Sequence, residues 1–228
     1  MDIDQRNDGK IIDSWCANAA PWVSAVRQGR IETRRLVTDR AIVEAVVGRT
    51  PRSVLDIGCG EGWLARALAG HGIPAVGVDV VAALIEQARR AGGGEFHVGS
   101  YEQIAAGLIT ERADIVVCNF ALLGKTSVEG LMRSMSSLLP PHGLLIVQTL
   151  HPLIACGEGA YRDGWREGSW AGFDEAFIDP APWYFRTLAS WIELFAHHGL
   201  RLLELREPLH PLTQRPASVI FSAALASG

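Results

Sequence analysis

The sequence predicts an α/β fold: three layers around a seven-stranded, mostly parallel sheet that ends in an antiparallel C-terminal edge hairpin. Three observations carry this. Short strand-like runs at 54–57, 75–79, 95–98, 113–118 and 144–147 alternate with helical segments. That alternation forces parallel strands with right-handed crossovers. The stretch Ser53-Val-Leu-Asp-Ile-Gly-Cys-Gly-Glu-Gly62 passes from an apolar strand through a glycine-rich turn directly into a helix. Two further apolar runs, 200–205 and 218–225, are joined by a segment holding Pro208, Pro211 and Pro216, which suits an antiparallel pair.

Residues 1–13 are polar and charged and are expected to be loosely ordered. Trp15, Ala19, Trp22 and Val26 then recur at helical spacing, and Pro21 is expected to split this stretch into two short pieces. A third helix runs from about Glu32 to Val47, with Ile42, Ala45 and Val46 buried, and ends at Gly48 and Pro51. Residues 1–49 are thus expected to form an N-terminal helical lid over a main domain at 50–228.

Within the main domain the glycine turn opens a helix at Trp63. A strand–turn–helix junction of this kind leaves bare backbone N–H groups for a polar or anionic ligand group. Ala75-Val-Gly-Val-Asp79 is an apolar strand ending in a carboxylate, 19 positions past Gly60. At the carboxyl edge of a parallel sheet such a carboxylate can accept two bonds from a ribose diol, or it can cap the helix 82–91. Strand 95–98 leads into Gly99-Ser-Tyr-Glu102, and strand 113–118 into Asn119-Phe120. The helix 127–139 ends at Pro140-Pro-His-Gly143. The fifth strand runs on to Thr149-Leu-His151.

Residues 151–186 break the rhythm. They carry Tyr161, Trp165, Trp170, Phe173, Phe177, Trp183 and Tyr184 between glycines. So long a loop is normally functional, and its aromatic content argues against disorder. It is expected to be an acceptor-binding insertion, with Trp165, Trp183 and Tyr184, and Trp15 from the lid, as substrate walls. Helix 187–198, stopped by Gly199, precedes the edge pair.

Asp56-x-Gly58-x-Gly60-x-Gly62 fits neither the dinucleotide fingerprint, whose last glycine would be Trp63, nor the phosphate loop, which needs a lysine. It resembles motif I of the class I S-adenosylmethionine (SAM) methyltransferases, and the chain looks most like their small-molecule branch, which includes ubiquinone-biosynthesis-type enzymes. The resemblance implies a Rossmann-like sheet of seven strands and SAM as cofactor, with S-adenosylhomocysteine as product. It places the cofactor's methionine end at Asp56, Gly58, Cys59 and Gly60. The ribose falls to Asp79 beside Val80, and the adenine edge to Ser100 and Tyr101, where the family often has an aspartate. Asn119 and Phe120 lie against the methionine part. An NAD-type dehydrogenase and a non-catalytic SAM-binding module are the alternative readings.

His151, just past the fifth strand, is the candidate general base. No histidine–carboxylate spacing suggests a metal site. The 228 residues carry a net charge of −4 and only two lysines, Lys10 and Lys125, which disfavours a nucleic-acid partner. Cys16, Cys59, Cys118 and Cys156 lack paired spacing and suit a reducing compartment. With no signal peptide and no apolar run of membrane length, a cytoplasmic enzyme acting on a small molecule as monomer or homodimer is expected.

Overall fold

A computed structural model describes residues 2–226. Its strands are β1 (Val54–Ile57), β2 (Ala75–Asp79), β3 (Glu95–Val98), β4 (Ile115–Asn119), β5 (Leu144–Thr149), β6 (Gly164–Arg166), β7 (Trp183–Phe185), β8 (Leu200–Arg206) and β9 (Val219–Leu225). The main sheet has seven strands in the order β3-β2-β1-β4-β5-β9-β8. β1 to β5 are parallel, while β9 runs antiparallel to both β5 and β8. The expected fold class stands. β1 is buried along its whole length, as a strand covered on both faces must be.

Helices α3 (Asp39–Val47), α4 (Trp63–Ala69) and α5 (Ala82–Ala91) cover one face, where Ile42, Val46, Leu64, Leu68 and Ile85 pack with Val54, Ile115 and Ile146. The opposite face is covered by α6 (Tyr101–Ala105), α7 (Thr126–Arg133), α8 (Met135–Leu138) and, beyond the four-residue α9 (Pro152–Ala155), α10 (Leu188–His197). The expected single helix 127–139 is broken at Ser134, whose hydroxyl bonds back to the Leu131 carbonyl. The chain leaves β1 toward β2 on one side and reaches β4 on the other. This switch point opens a crevice at the carboxyl ends of β1 and β4.

The N-terminus differs from expectation. Residues thought loose form α1 (Ile3–Ala17), capped by the Asp2 carboxylate. Its buried residues Asn7, Asp8 and Ser14 are polar, so no apolar stripe announces it. The helix is held by polar docking instead. The break expected at Pro21 falls at Asn18, and α2 (Ala19–Arg27) takes Pro21 into its first turn, where a missing N–H costs nothing. Residues 34–38 form a π-helical turn leading into α3. α3 belongs to the sheet's helical layer, so the cover over the crevice consists of α1, α2 and the segment before the π turn rather than all of 1–49.

Candidate active site

At the switch point lies a cavity of about 560 Å³. Gly58, Cys59, Gly60, Asp79, Val80, Ser100, Tyr101, Asn119, Phe120 and Trp15, all proposed from the sequence, line it. Asp56 does not; it is buried in β1 directly before Ile57. The glycine turn is left-handed at Gly58 (φ 77°) and Gly62 (φ 79°). A Cβ on Gly58 would stand 2.3 Å from the Ala121 Cβ, so a side chain there is barred by space as well as by conformation.

The expectation of bare amides in this turn is met only in part. The Gly58 and Cys59 N–H groups donate to the Val78 carbonyl at 2.7 and 3.1 Å, and Gly62 donates to the Cys59 carbonyl. The Gly60 N–H donates to Asp79 Oδ2 at 2.8 Å. Four amides of the turn are thus satisfied internally, while the Glu61 and Trp63 N–H groups at the start of α4 have no partner among the described residues. The turn is a tight bend that brings the backbone close, with side chains gathered around it.

Asp79 is the centre of that chemistry. Its second oxygen accepts from the Val81 N–H at 2.9 Å, at the start of α5. Asp79 therefore ties the turn to the residue that precedes α5, without capping the helix itself, and each oxygen keeps a lone pair for a ligand. Burial pushes its pKa up, and the two amide donors pull it back. Asp56 lies close enough for Asp79's charge to matter. Burial first, then that charge, lift the Asp56 carboxyl to about 7, and its Oδ1 has no partner among the described residues.

Ser100 caps α6: its hydroxyl accepts from the Gln103 N–H, and the Gln103 side chain returns to the Ser100 N–H. Tyr101 donates its hydroxyl to the Ala121 carbonyl at 3.0 Å. Asn119 Oδ1 accepts from Gln148 Nε2 at 2.7 Å, and the buried Gln148 also reaches the Thr38 carbonyl and accepts from Ser218. Phe120 holds a left-handed backbone (φ 53°), fixed by its N–H bond to the Gln148 carbonyl. A non-glycine residue strained at a cavity wall is a mark of function.

Residues the sequence did not single out complete the wall. Arg34 and Thr38, from the π turn, line the cavity. Arg34 Nε bonds Asp39, and its guanidinium stacks 4.7 Å over the Trp63 ring. Arg34 Nη2 and Thr38 Oγ1 are buried without a partner among the described residues. A buried cation and a buried hydroxyl, both with an unpartnered atom, thus share one cavity with the Asp79 carboxylate. Arg34 and Thr38 stand four positions apart in this turn, and no motif marks them.

The roof joins two segments far apart in sequence. Asn18 exchanges bonds with the Ile178 backbone at 2.7 and 2.8 Å, and Ser14 donates to the Asp179 carbonyl. Trp15 meets Trp170 edge-on at 5.8 Å, and Trp170 meets Phe173 at 5.4 Å. Trp170 and Phe173 line the cavity; of the four aromatic residues expected to do so, only Trp15 does. Trp165 and Tyr184 are opposite each other in the β6–β7 hairpin and pack together at 5.4 Å. The Trp165 indole donates to Asp4 on the outer side of the lid. Trp183 and Tyr184 border a separate minor hollow beside Pro152 and Trp191.

His151 is also displaced from its expected role. It is 3% exposed, does not line the cavity, and bonds Glu207 Oε1 through Nε2 at 2.6 Å. Pro152 starts a helical turn directly after it, which carries the side chain under the insertion and away from the crevice.

The lid is fastened by Asp8. Its carboxylate accepts from the Lys125 and Ser127 N–H groups, both at 2.8 Å, and from the Thr126 hydroxyl at 2.6 Å, capping α7 from another helix. Asp8→Ala is expected to lower the unfolding free energy by about 1–2 kcal/mol, read from urea titrations. A change within error would show that α1 docks without this cap.

A family model described as a methyltransferase domain matches residues 30–205. The ubiquinone biosynthesis O-methyltransferase of Histophilus somni is 31% identical over 112 residues, which cover 46% of this chain and 47% of that protein. That of Coxiella burnetii is 29% identical over 112 residues, 48% of each chain. The chain spans about half the length of the curated relatives it matches. Among solved structures, the 1,6-didemethyltoxoflavin-N1-methyltransferase of Burkholderia thailandensis superposes with a TM-score of 0.64 at 16% identity, over all of this chain and 92% of that one. A putative S-adenosylmethionine-dependent methyltransferase from Listeria monocytogenes gives 0.63 at 20% identity, over 82% of this chain and 100% of that one. With the family model running from the lid into β8 and the seven-stranded sheet beneath it, the chain belongs to the methyltransferase-domain family.

Proposed function

We propose that the protein transfers a methyl group from SAM to an oxygen or nitrogen atom of a small, apolar or aromatic molecule. The observation that carries this is one cavity combining Asp79, fixed at the glycine turn, with an aromatic roof of Trp15, Trp170 and Phe173. SAM supplies an activated methyl on its sulfonium. Asp79 would hold the ribose hydroxyls, Ser100 and Tyr101 would border the adenine, and Asn119 and Phe120 would flank the methionine part. Arg34 and Thr38 would take its carboxylate, a pairing that supplies the partners those buried atoms lack. The chain's own task is to align and dehydrate two reactants, an effect worth about 7–11 kcal/mol in well-oriented systems.

Isothermal titration tests this. S-adenosylhomocysteine is expected to bind and NADH to be ignored, and the reverse would favour the dehydrogenase reading. Binding without methyl transfer to any compound in a broad acceptor screen would favour a regulatory module. Arg34→Met is expected to weaken S-adenosylhomocysteine binding about tenfold, about 1.4 kcal/mol, and unchanged binding would remove Arg34 from the site.

The small-molecule acceptor is supported by the aromatic roof and by the likeness to ubiquinone biosynthesis O-methyltransferases. The mild negative charge speaks against a nucleic-acid partner. Four free cysteines suit the cytoplasm, and no described helix is long and apolar enough to cross a membrane. A monomer or homodimer fits this reading.

A further inference from the structure

Methyl transfer to a hydroxyl requires a group that removes the proton, whereas transfer to a neutral nitrogen does not. Six titratable side chains line the cavity: Asp8, Arg34, Cys59, Asp79, Tyr101 and Glu102. None is a free base in the half under the aromatic roof. Asp8 already accepts from three donors that cap α7. Asp79 is bound by two amides at the glycine turn. The Tyr101 hydroxyl is spent on the Ala121 carbonyl. Cys59 lies buried in the turn, its thiol pushed up by burial, and Arg34 cannot accept a proton. Glu102 is exposed on α6 beside Ser100, on the cofactor side. The one histidine near the crevice, His151, is turned away and bonded to Glu207. The described residues also gather no group of three His, Cys, Asp or Glu side chains able to hold a metal that would activate a hydroxyl.

The roof has the opposite character. The linked rings of Trp15, Trp170 and Phe173 form an electron-rich ceiling, with Phe120 in the wall below. Aromatic faces stabilise a cation, most strongly where water is excluded. An onium product would find that stabilisation here. An anionic acceptor would not, because Lys125 is tied to Asp4 and Arg34 stands on Trp63 by the π turn.

We infer that the acceptor is a planar heteroaromatic compound methylated on an uncharged ring nitrogen, its cationic product held under Trp15, Trp170 and Phe173. This rests on the SAM reading above and narrows its acceptor. The nitrogen lone pair forms the new C–N bond as the C–S electron pair returns to sulfur. The positive charge passes from sulfur to nitrogen, and no proton moves beforehand.

The test uses product mimics on the complex with S-adenosylhomocysteine, followed by tryptophan fluorescence. N-methylisoquinolinium is expected to bind at least about tenfold more tightly than its uncharged isostere 2-methylnaphthalene. Trp170→Leu, checked for folding by its urea midpoint, is expected to erase most of that preference. Equal binding of the two, or a preference for the neutral compound, overturns the inference. So does a preference that Trp170→Leu leaves intact, since the charge would then be read elsewhere. Failure of S-adenosylhomocysteine to bind in the first titration is a separate result, and it would remove the cofactor reading itself.

Discussion

Replacing Asp79 with alanine is expected to raise the dissociation constant for S-adenosylhomocysteine by one to two orders of magnitude, about 1.4–2.8 kcal/mol. Two losses combine. The ligand loses a charge-assisted acceptor for its ribose. The Gly60 and Val81 N–H groups, held at 2.8 and 2.9 Å, lose their shared partner, so the bend that brings the backbone to the ligand loosens. Asp79→Asn separates the two, since its one carbonyl oxygen can still serve a single amide. It is expected to fall between wild type and Asp79→Ala in calorimetric titrations, while Asp79→Ala alone shows a clearly lower urea midpoint. Wild-type affinity in Asp79→Ala would take the carboxylate out of the site.

Asp56 yields the second large effect, and its sign is unusual for a carboxylate. The folded-state pKa is raised to about 7 by burial and by the Asp79 charge, above the ordinary value of 3.8. Below the unfolded value both states hold the proton and Asp56 costs nothing. As pH rises from about 4 to about 7 the unfolded chain releases its proton first, so the folded state binds more protons and stability falls. The penalty at alkaline pH has an upper bound on the order of 4 kcal/mol. Asp56→Asn, which cannot ionise, is expected to gain on wild type steadily across that window in thermal unfolding. A constant difference between the two from pH 4 to 8 would show that Asp56 does not titrate within it. A cation brought into the adjoining cavity lowers the pKa of a nearby carboxyl. Affinity for SAM is therefore expected to climb with pH over the same range in wild type and to stay level in Asp56→Asn.

The parts legible in the sequence are those where one local signal determines the outcome. β1, β2 and β3 match the runs expected at 54–57, 75–79 and 95–98, each short and next to a glycine turn. The part of the cavity around the glycine turn was equally readable, since Gly58, Gly60, Asp79 and Asn119 all lie at or just past strand ends that topology brings to one edge. What escaped depends on tertiary contact. α1 is polar on its buried side and is made stable by Asp8 capping a helix more than a hundred residues away. Arg34 and Thr38 reach the cavity through a π turn that no residue pattern encodes. Trp165, Trp183 and Tyr184 are indistinguishable in composition from Trp170 and Phe173. Only the β6–β7 pairing decides which rings face the lid's outer side and which reach the ligand. His151 looked catalytic by position alone; the helical turn begun by Pro152 set its direction.

The bonds from Asn18 to Ile178 and from Ser14 to Asp179 have a consequence for how such an enzyme can change its diet. The two halves of the ceiling are expected to travel together, because the Asn18 and Ser14 side chains need the main chain at 178–179 in one position. A chimaera that imports the 151–186 stretch from a cousin while keeping its own first thirty residues is expected to shift that main chain and leave a leaking chamber. Transplanted as a matched pair onto the unchanged sheet, the two pieces can bring a new substrate preference with them and leave the nucleoside berth as it was.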